Sequence, residues 1–103
     1  MNKETSLTNE IRLALADVPG LALWRNSIGW DSRTKVYYGI GGKGGSDLIG
    51  IYGSKFVALE IKMPGGIRSE EQENFVKVIR GLGGLAGFAT SVKEARAIIN
   101  GEK

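Results

Sequence analysis

The sequence contains neither cysteine nor histidine, and these two absences remove several classes of chemistry. Without cysteine there is no disulfide and no thiolate nucleophile, and without histidine there is no imidazole base. An ordinary zinc site and the Ser-His-Asp and Cys-His hydrolase mechanisms are therefore excluded as well. Any catalysis must use carboxylates, lysine, tyrosine or hydroxyl groups, alone or with a hard, oxygen-preferring metal such as magnesium.

Long apolar runs are also missing from the 103 residues. No stretch approaches the ~18 apolar residues that a membrane span needs. The first residues lack the apolar run and the small-residue cleavage site of a signal peptide, so we expect a cytoplasmic location and no membrane partner. The length predicts one compact domain over residues 1–103.

The net charge of +3 is concentrated in one part of the chain, residues 24–45. The cations of this segment, opposed by Asp31 alone, are Arg25, Arg33, Lys35 and Lys43. Its aromatic residues are Trp24, Trp30, Tyr37 and Tyr38. Interleaved cations and aromatic rings indicate a surface that contacts phosphates and bases. The alternative interpretation is an ordinary strand pair with solvated charges.

Three segments have the apolar spacing of helices. They cover residues 6–17 with Ser6 as N-cap, the segment between Ser69 and Gly83, and the segment between Ser91 and Gly101. Capping-box patterns begin the second and third of these helices, with Gln72 and Glu94 at their third positions. The buried face of the second helix is predicted to contain Phe75, Val76, Ile79 and Leu82.

Strands are predicted at residues 21–26, 36–38, 47–52, 55–62 and 85–90, with a polar loop at 27–35 and a glycine-rich loop at 39–45. Gly53-Ser54 suits a two-residue type II′ turn between the third and fourth strands. Both faces of this hairpin are apolar, so helices are expected to cover both. The order of elements predicts an α/β protein with a central mixed sheet flanked by helices.

The turn at Gly53-Ser54 fixes which residues face each other across the hairpin. It places Asp47 opposite Glu60, with Cβ atoms roughly 4.5 to 5.5 Å apart, and it puts Lys62 on the same face. Facing carboxylates repel each other, and a Mg²⁺ ion between them would remove the conflict while Lys62 orients an attacking hydroxide. The alternative is that Asp47 ends a loop while Glu60 and Lys62 form an exposed ion pair.

The complete set of motifs resembles the PD-(D/E)xK nuclease superfamily, most closely its VRR (virus-type replication-repair) nuclease branch. The matching segments are Glu10, Trp24-Arg25-Asn26, Gly45-Ser46-Asp47-Leu48-Ile49-Gly50, Ala58-Leu59-Glu60-Ile61-Lys62, Ser69-Glu70-Glu71-Gln72, Gly84-Leu85-Ala86-Gly87-Phe88-Ala89 and Ser91-Val92-Lys93-Glu94-Ala95. Ser46 stands where the superfamily often has proline. The resemblance implies a restriction-endonuclease-like αβββαβ core.

The resemblance also implies roles for individual residues. Asp47, Glu60 and the backbone carbonyl of Ile61 would bind Mg²⁺ or Mn²⁺, and Lys62 would assist the nucleophile. Glu10 would reach the metal from the first helix, with a solvated helix charge as its alternative. Gln72 would act in the active site, with helix capping as an alternative role that is compatible with the first.

These roles describe a metal-dependent endodeoxyribonuclease, a phosphodiester hydrolase of DNA repair in bacteria or phages. Standalone members of the branch resemble homodimers that cut branched DNA, so a Holliday-junction endonuclease is expected. The residues expected to contact DNA are Arg25, Asn26, Arg33, Lys35, Lys43 and Ser46. The alternative function is a non-catalytic DNA-binding or assembly module that retains the nuclease fold.

The stretch Gly39-Ile40-Gly41-Gly42-Lys43-Gly44 matches the G-x-G-x-x-G dinucleotide pattern, but its context does not. A dinucleotide fingerprint begins a helix, whereas this stretch leads into the strand that starts at Asp47. No nucleotide cofactor is therefore expected. The loop is expected to let the backbone approach a DNA phosphate, with Lys43 adding charge.

Overall fold

The computed structural model describes residues 2–102, which form three helices and six strands. In chain order they are α1 (Lys3–Leu15), β1 (Leu21–Arg25), β2 (Gly29–Asp31), β3 (Val36–Tyr38), β4 (Leu48–Tyr52), β5 (Lys55–Ile61), α2 (Glu70–Gly81), β6 (Leu85–Ala89) and α3 (Val92–Ile99). None of the helices in this range is long and apolar enough to cross a membrane. The predicted α/β class is confirmed.

The main sheet of the described chain has four strands in the order β1-β4-β5-β6. Strands β1 and β5 both pair antiparallel with β4, whereas β6 runs parallel to β5. Parallel neighbours need a crossover connection, and α2 supplies it between β5 and β6. The sheet is therefore mixed, as predicted.

The central β4–β5 hairpin has the predicted two-residue turn. Leu48 pairs with Leu59 at one end and Tyr52 pairs with Lys55 beside the turn. Gly53 has a φ of +62°, while Ser54 is not in the positive-φ region. A positive φ at the first turn position alone is the pattern of a type II′ turn, and the predicted register is confirmed.

Helices cover both faces of the sheet, also as predicted. The residues that pack with α1 and α3 on one face include Leu48, Val57, Leu59 and Ile61. On the other face Ala58 packs with Val76 of α2 and Ala86 of β6. The second cluster is the smaller one, and Ile51 on that face stays half exposed.

One predicted helix start and one predicted buried residue are wrong. Helix α1 begins at Lys3 rather than at residue 6, and its N-cap is Asn2, whose Oδ1 accepts a hydrogen bond from the Thr5 N–H at 2.7 Å. Polar residues fill this first turn, so apolar spacing did not reveal it. Leu82 was predicted to be buried but is exposed, because it is the C-cap and lies beyond the last helical residue.

Strand β2 lies inside the segment predicted to be a polar loop. It pairs with β3 in a separate two-stranded sheet, with Trp30 opposite Tyr37. The connecting turn is closed by the Lys35 N–H, which donates to the Asp31 carbonyl at 2.8 Å, and Lys35 has a φ of +60°. Residues 29–38 are called the aromatic hairpin below. Its short strands include Gly29 and Asp31, which are rare in strands, so the pattern was missed.

Candidate functional site

Asp47 lies directly before β4, at the end of the sheet where β5 finishes. Its Oδ2 accepts a hydrogen bond from the Ile61 N–H at 2.8 Å, which ties the carboxylate to the backbone of β5. Because Leu48 pairs with Leu59, the next position outward brings Asp47 beside Glu60. The register that brings these two carboxylates together is the predicted one.

Glu60 is a buried carboxyl group with only one of its oxygens satisfied. The residue is 3% exposed, and its Oε1 accepts a hydrogen bond from Nε2 of Gln72 at 3.0 Å. Within residues 2–102, its Oε2 is buried and has no hydrogen-bond partner. A buried polar oxygen of this kind is costly unless a proton or a cation satisfies it.

The surroundings of Glu60 favour its neutral form. Burial raises the pKa of Glu60 to about 9, the charge of Asp47 and the hydrogen bond that a protonated Glu60 can share with Asp47 add to the rise, and the Lys62 ammonium group opposes it. Without a cation, Glu60 therefore holds a proton at neutral pH, and a divalent cation would have to replace that proton. A strongly shifted carboxyl beside a second carboxyl is typical of functional sites.

An aromatic residue, Phe88, lies on the side of Glu60 away from β4. Phe88 of β6 is the register neighbour of Glu60 in the parallel pair. The guanidinium group of Arg68 stacks over the Phe88 ring, 4.2 Å from its centroid. Arg68 is an exposed cation that the sequence pattern did not single out, since an arginine in a loop has no periodic signal.

Lys62 follows the last residue of β5 and extends the ladder between the parallel strands. Its backbone N–H donates to the Ala89 carbonyl at 3.0 Å, which fixes the start of the side chain. In the described part of the chain, the ion pairs join Arg33 to Asp31 and Lys43 to Glu71. The Lys62 ammonium group is therefore not held in an ion pair and remains available to an anion.

Gln72 has the predicted capping role and also contacts the buried carboxyl group of Glu60, whereas its role in an active site stays a prediction. Its Oε1 accepts from the Ser69 N–H at 2.9 Å, and its N–H donates to Ser69 Oγ at 3.1 Å, which completes the predicted capping box. Its Nε2 donates to Glu60. The Gln72 side chain thus caps the N-terminus of α2 and also links this end of the helix to the buried carboxyl group of Glu60.

Of the acidic residues in α1, Glu4 contributes its charge to the raised pKa of Glu60, while the role of Glu10 at a metal stays a prediction. Glu10 is exposed and is not among the groups that shift the pKa of Glu60, whereas Glu4 contributes to the rise. Glu4 shares a helical face with Thr8 and Ile11, at spacings of four and seven residues. That spacing would have revealed Glu4 if the helix had been predicted to begin at Lys3.

Three of the predicted DNA-contacting cations lie on the surface. Arg25 ends β1 and is exposed, and Arg33 and Lys35 occupy the exposed turn of the aromatic hairpin. Their placement is compatible with phosphate contacts. The contacts themselves stay predictions.

Asn26 is engaged inside the protein rather than presented to a ligand. Its Nδ2 donates to the carbonyls of Ile40 and Ser46 at 2.7 and 3.0 Å, and its Oδ1 accepts from the Ile40 N–H at 3.0 Å. Its backbone N–H donates to the Asp47 carbonyl at 2.8 Å. Asn26 therefore joins the exit of the aromatic hairpin to the segment that carries Asp47, and its amide is not available for the predicted DNA contact.

The glycine-rich loop packs against α2 instead of standing open for a phosphate. A Cβ on Gly44 would lie 2.6 Å from the backbone of Glu71, and Lys43 Nζ lies 3.3 Å from Glu71 Oε2. The predicted role of Lys43 therefore competes with this exposed ion pair. Ser46 is fully buried, so its side chain does not reach the surface as the predicted DNA contact requires.

The oxygen donors at this site fit a hard cation. They are the Asp47 carboxylate and Oε2 of Glu60, and the ligand role of the Ile61 carbonyl stays a prediction. No group of three or more aspartate, glutamate, histidine or cysteine side chains within residues 2–102 could hold a metal. A cation here would depend on two carboxylates, a backbone oxygen and water, which is the kind of incomplete protein shell that Mg²⁺ accepts.

Comparisons with known protein families, with curated proteins and with solved structures found no match for this chain. The resemblance to the VRR nuclease branch therefore rests on the motifs alone. The geometry of Asp47, Glu60, Lys62 and Gln72 stands independently of that resemblance.

Proposed function

We propose that this chain is a metal-dependent DNA endonuclease that hydrolyses phosphodiester bonds. The observation that supports this most is the buried Glu60, whose unpartnered Oε2 lies at the strand end shared with Asp47. A stability argument alone would not select two neighbouring carboxyl groups. Oxygen donors of this type are the ligands that Mg²⁺ and Mn²⁺ prefer.

The arrangement also supports membership of the VRR branch of the PD-(D/E)xK superfamily. Setting the aromatic hairpin aside as an insertion, the order α1, β1, β4, β5, α2, β6 is compatible with the proposed αβββαβ core of restriction-endonuclease-like folds. Asp47 and the Glu60-Ile61-Lys62 motif occupy adjacent strand ends in that core. A shared fold alone would not establish the activity.

The residues of the site have separable roles in this proposal. Asp47, Glu60 and the Ile61 carbonyl would hold the cation, which when bound lowers the pKa of water and offsets charge on the scissile phosphate. Gln72 donates to Oε1 of Glu60 and so orients the carboxyl group, whose Oε2 has no hydrogen-bond partner among residues 2–102. Lys62 donates a hydrogen bond to the attacking water or to a phosphate oxygen.

We further propose branched DNA as the substrate and a homodimer as the active form. One small domain offers one site, whereas a two-fold dimer presents two sites, as symmetric cutting of a four-way junction requires. The exposed cations Arg25, Arg33 and Lys35 support contact with DNA. Such an enzyme would act in DNA repair or replication in a bacterial or phage setting.

The test is nicking of supercoiled plasmid and cutting of a four-way junction by purified protein, with Mg²⁺, with Mn²⁺ and with EDTA. Asp47→Asn and Lys62→Ala are expected to lower the rate by roughly a hundredfold to a thousandfold. Asp17→Asn and Lys93→Ala are matched controls, because both residues are exposed outside the site. These controls should keep the rate of the unaltered chain.

Two outcomes would contradict parts of the proposal. Cutting of linear duplex as fast as of junctions would remove the selectivity for branched DNA. DNA binding without metal-dependent cutting by clean protein would favour the alternative, a non-catalytic DNA-binding module with a nuclease fold.

A further inference from the structure

The aromatic hairpin stands apart from the main sheet and exposes much of its apolar surface. Its two strands pair only with each other in the described chain, and a lone two-stranded hairpin is at best marginally stable in water. Its exposed side chains and their exposed fractions are Trp30 at 51%, Tyr37 at 40%, Tyr38 at 56% and Val36 at 57%. A concentration of exposed apolar side chains marks an interaction surface.

The rings of this hairpin are already fixed in position. Trp30 and Tyr37 face each other across the strands, with centroids 4.9 Å apart and ring planes inclined by 59°. Tyr38 points to the other face, where its ring lies so close over Gly29 that a Cβ there would require the ring to move. Because each ring is held on one side and open on the other, a flat partner can stack on it with little further loss of side-chain freedom.

The charges around the rings indicate what that partner is. Arg33 and Lys35 lie at the turn, and Arg25 precedes the hairpin. Asp31, the one acid within the hairpin, already accepts a hydrogen bond from the Arg33 N–H at 2.9 Å. Cations beside open aromatic faces complement the phosphates and bases of nucleic acid, whereas a second copy of the hairpin would bring like charges together.

We infer that the aromatic hairpin binds exposed base faces by stacking and so selects DNA that has single-stranded segments or an unstacked branch point. A fully paired duplex keeps its base faces stacked on each other and would offer this surface only phosphates. Asn26 connects the hairpin exit at Ile40 to Ser46 and Asp47, so a nucleotide held on the hairpin is fixed relative to the carboxyl pair. The inference rests on the proposed nuclease function only for the identity of the substrate.

Tryptophan fluorescence tests the stacking directly. The chain has two tryptophans, so Trp24→Phe leaves Trp30 as the sole emitter. Titration in EDTA with oligothymidylate, with a four-way junction and with a matched duplex separates binding from cleavage. We expect the single strand and the junction to quench Trp30 strongly and the duplex to quench it weakly.

Binding measurements in EDTA then test the energetic contribution. Trp30→Leu is expected to weaken oligothymidylate binding by about tenfold and duplex binding by less than about threefold. Trp30→Phe keeps a stacking ring and should retain most of the affinity, and it guards against misfolding of the leucine variant. Leu82→Ala removes an even more exposed apolar side chain outside the hairpin and should leave binding unchanged. Arg33→Ala should weaken the binding of both oligothymidylate and duplex and lower the salt dependence of binding.

Three results would overturn the inference: no quenching of Trp30 by single-stranded DNA, equal losses for single strand and duplex in Trp30→Leu, or loss of self-association in that variant with DNA binding intact. The last result would assign the hairpin to a second copy of the chain. Because these measurements use no metal, a failure of the nuclease proposal leaves them interpretable.

Discussion

The carboxyl pair and the aromatic hairpin are opposite in how they are built. Glu60 is buried and accepts a hydrogen bond from Gln72 of α2, while Asp47 accepts one from the backbone N–H of the neighbouring Ile61. The hairpin is exposed and is fixed by contacts between its own two strands, such as the Trp30–Tyr37 pair. Both regions contain groups that folding stability alone does not explain, a buried acid in one and exposed rings in the other.

The difference indicates how the two regions would divide the work of a nuclease. Hydrolysis needs donors held in one geometry and shielded from water, which long-range hydrogen bonds and burial provide. Selection of a branched substrate needs an accessible surface that tolerates any base sequence, which exposed rings and cations provide. Substitutions in the two regions should therefore change different measured quantities.

The largest of the further effects is expected from Gln72→Ala, which removes the hydrogen bond to Glu60. We expect the cutting rate at limiting Mg²⁺ to fall by about 10- to 100-fold, because the partner that orients a metal ligand is lost. Ser69→Ala removes the helix cap and leaves Gln72 in place, so it should cost about 1 kcal/mol of stability with little loss of rate. Trp30→Leu in the hairpin should change DNA affinity and keep the Mg²⁺ requirement.

An equal loss of cutting rate in Gln72→Ala and Ser69→Ala would contradict this prediction. Gln72 would then act only through the stability of α2. A Mg²⁺ titration of the nicking rate, with thermal melting of each variant, distinguishes the two cases.

The second prediction concerns pH and the free energy of unfolding in EDTA. Because folding raises the pKa of Glu60 from 4.5 to about 9, its protonated form stabilises the fold below pH 4.5, and that stability is lost as pH rises toward 9. The loss is at most about 1.4 kcal/mol per pH unit. Urea unfolding from pH 5 to pH 9 should show it, and Mg²⁺ should stabilise the protein more at pH 9 than at pH 6.

Glu60→Gln is the matched control for this slope. Glu60→Gln should flatten the pH dependence of the free energy of unfolding, whereas Trp30→Leu in the hairpin should leave that dependence unchanged. The pKa values of Glu71 and Glu94 are lowered, by hydrogen bonds from the Glu71 backbone and the Thr90 hydroxyl respectively, so their contributions change only at more acidic pH. An unchanged slope in Glu60→Gln would mean that another group titrates.

The smallest effect is expected from the two acids of α1. Since the charge of Glu4 helps to raise the pKa of Glu60, Glu4→Gln should move the pH dependence of Mg²⁺ binding slightly toward acid. Glu10→Gln, on the same helix and also exposed, should leave it unchanged. Thermal melting with and without Mg²⁺ across pH measures both, and a shift in Glu10→Gln alone would restore Glu10 as the acting residue.

The sequence predicted those parts of the fold that follow from local rules. The Gly53-Ser54 turn determines the register of β4 and β5, and this register alone brings Asp47 to Glu60. The capping-box pattern of Ser69 and Gln72 correctly predicted the start of α2. These features depend on a few neighbouring residues with strong conformational preferences, which makes them readable without tertiary information.

The missed features depend on contacts between distant segments. The third hydrogen bond of Gln72, to Glu60, joins a helix to a strand, and the side-chain bonds of Asn26 connect residues 14 and 20 positions away. The burial of Ser46 beneath its neighbours has the same origin. For this reason the carboxyl pair was predictable, while the assignment of Asn26 and Ser46 to a DNA surface was not supported.

The hydrogen bonds of Asn26, which follows β1, connect this residue to Ile40 after the aromatic hairpin and to Ser46 and Asp47 before β4. A protein that both recognises a DNA shape and cuts the DNA must hold the recognised nucleotides at a set distance from its active site. The phosphate to be cut has to reach the end of the β-sheet that carries the carboxyl pair. In the proposed nuclease, the side-chain amide of Asn26 would help to set that distance, so Asn26→Ala is expected to shift the position of the cut more than it lowers the cutting rate.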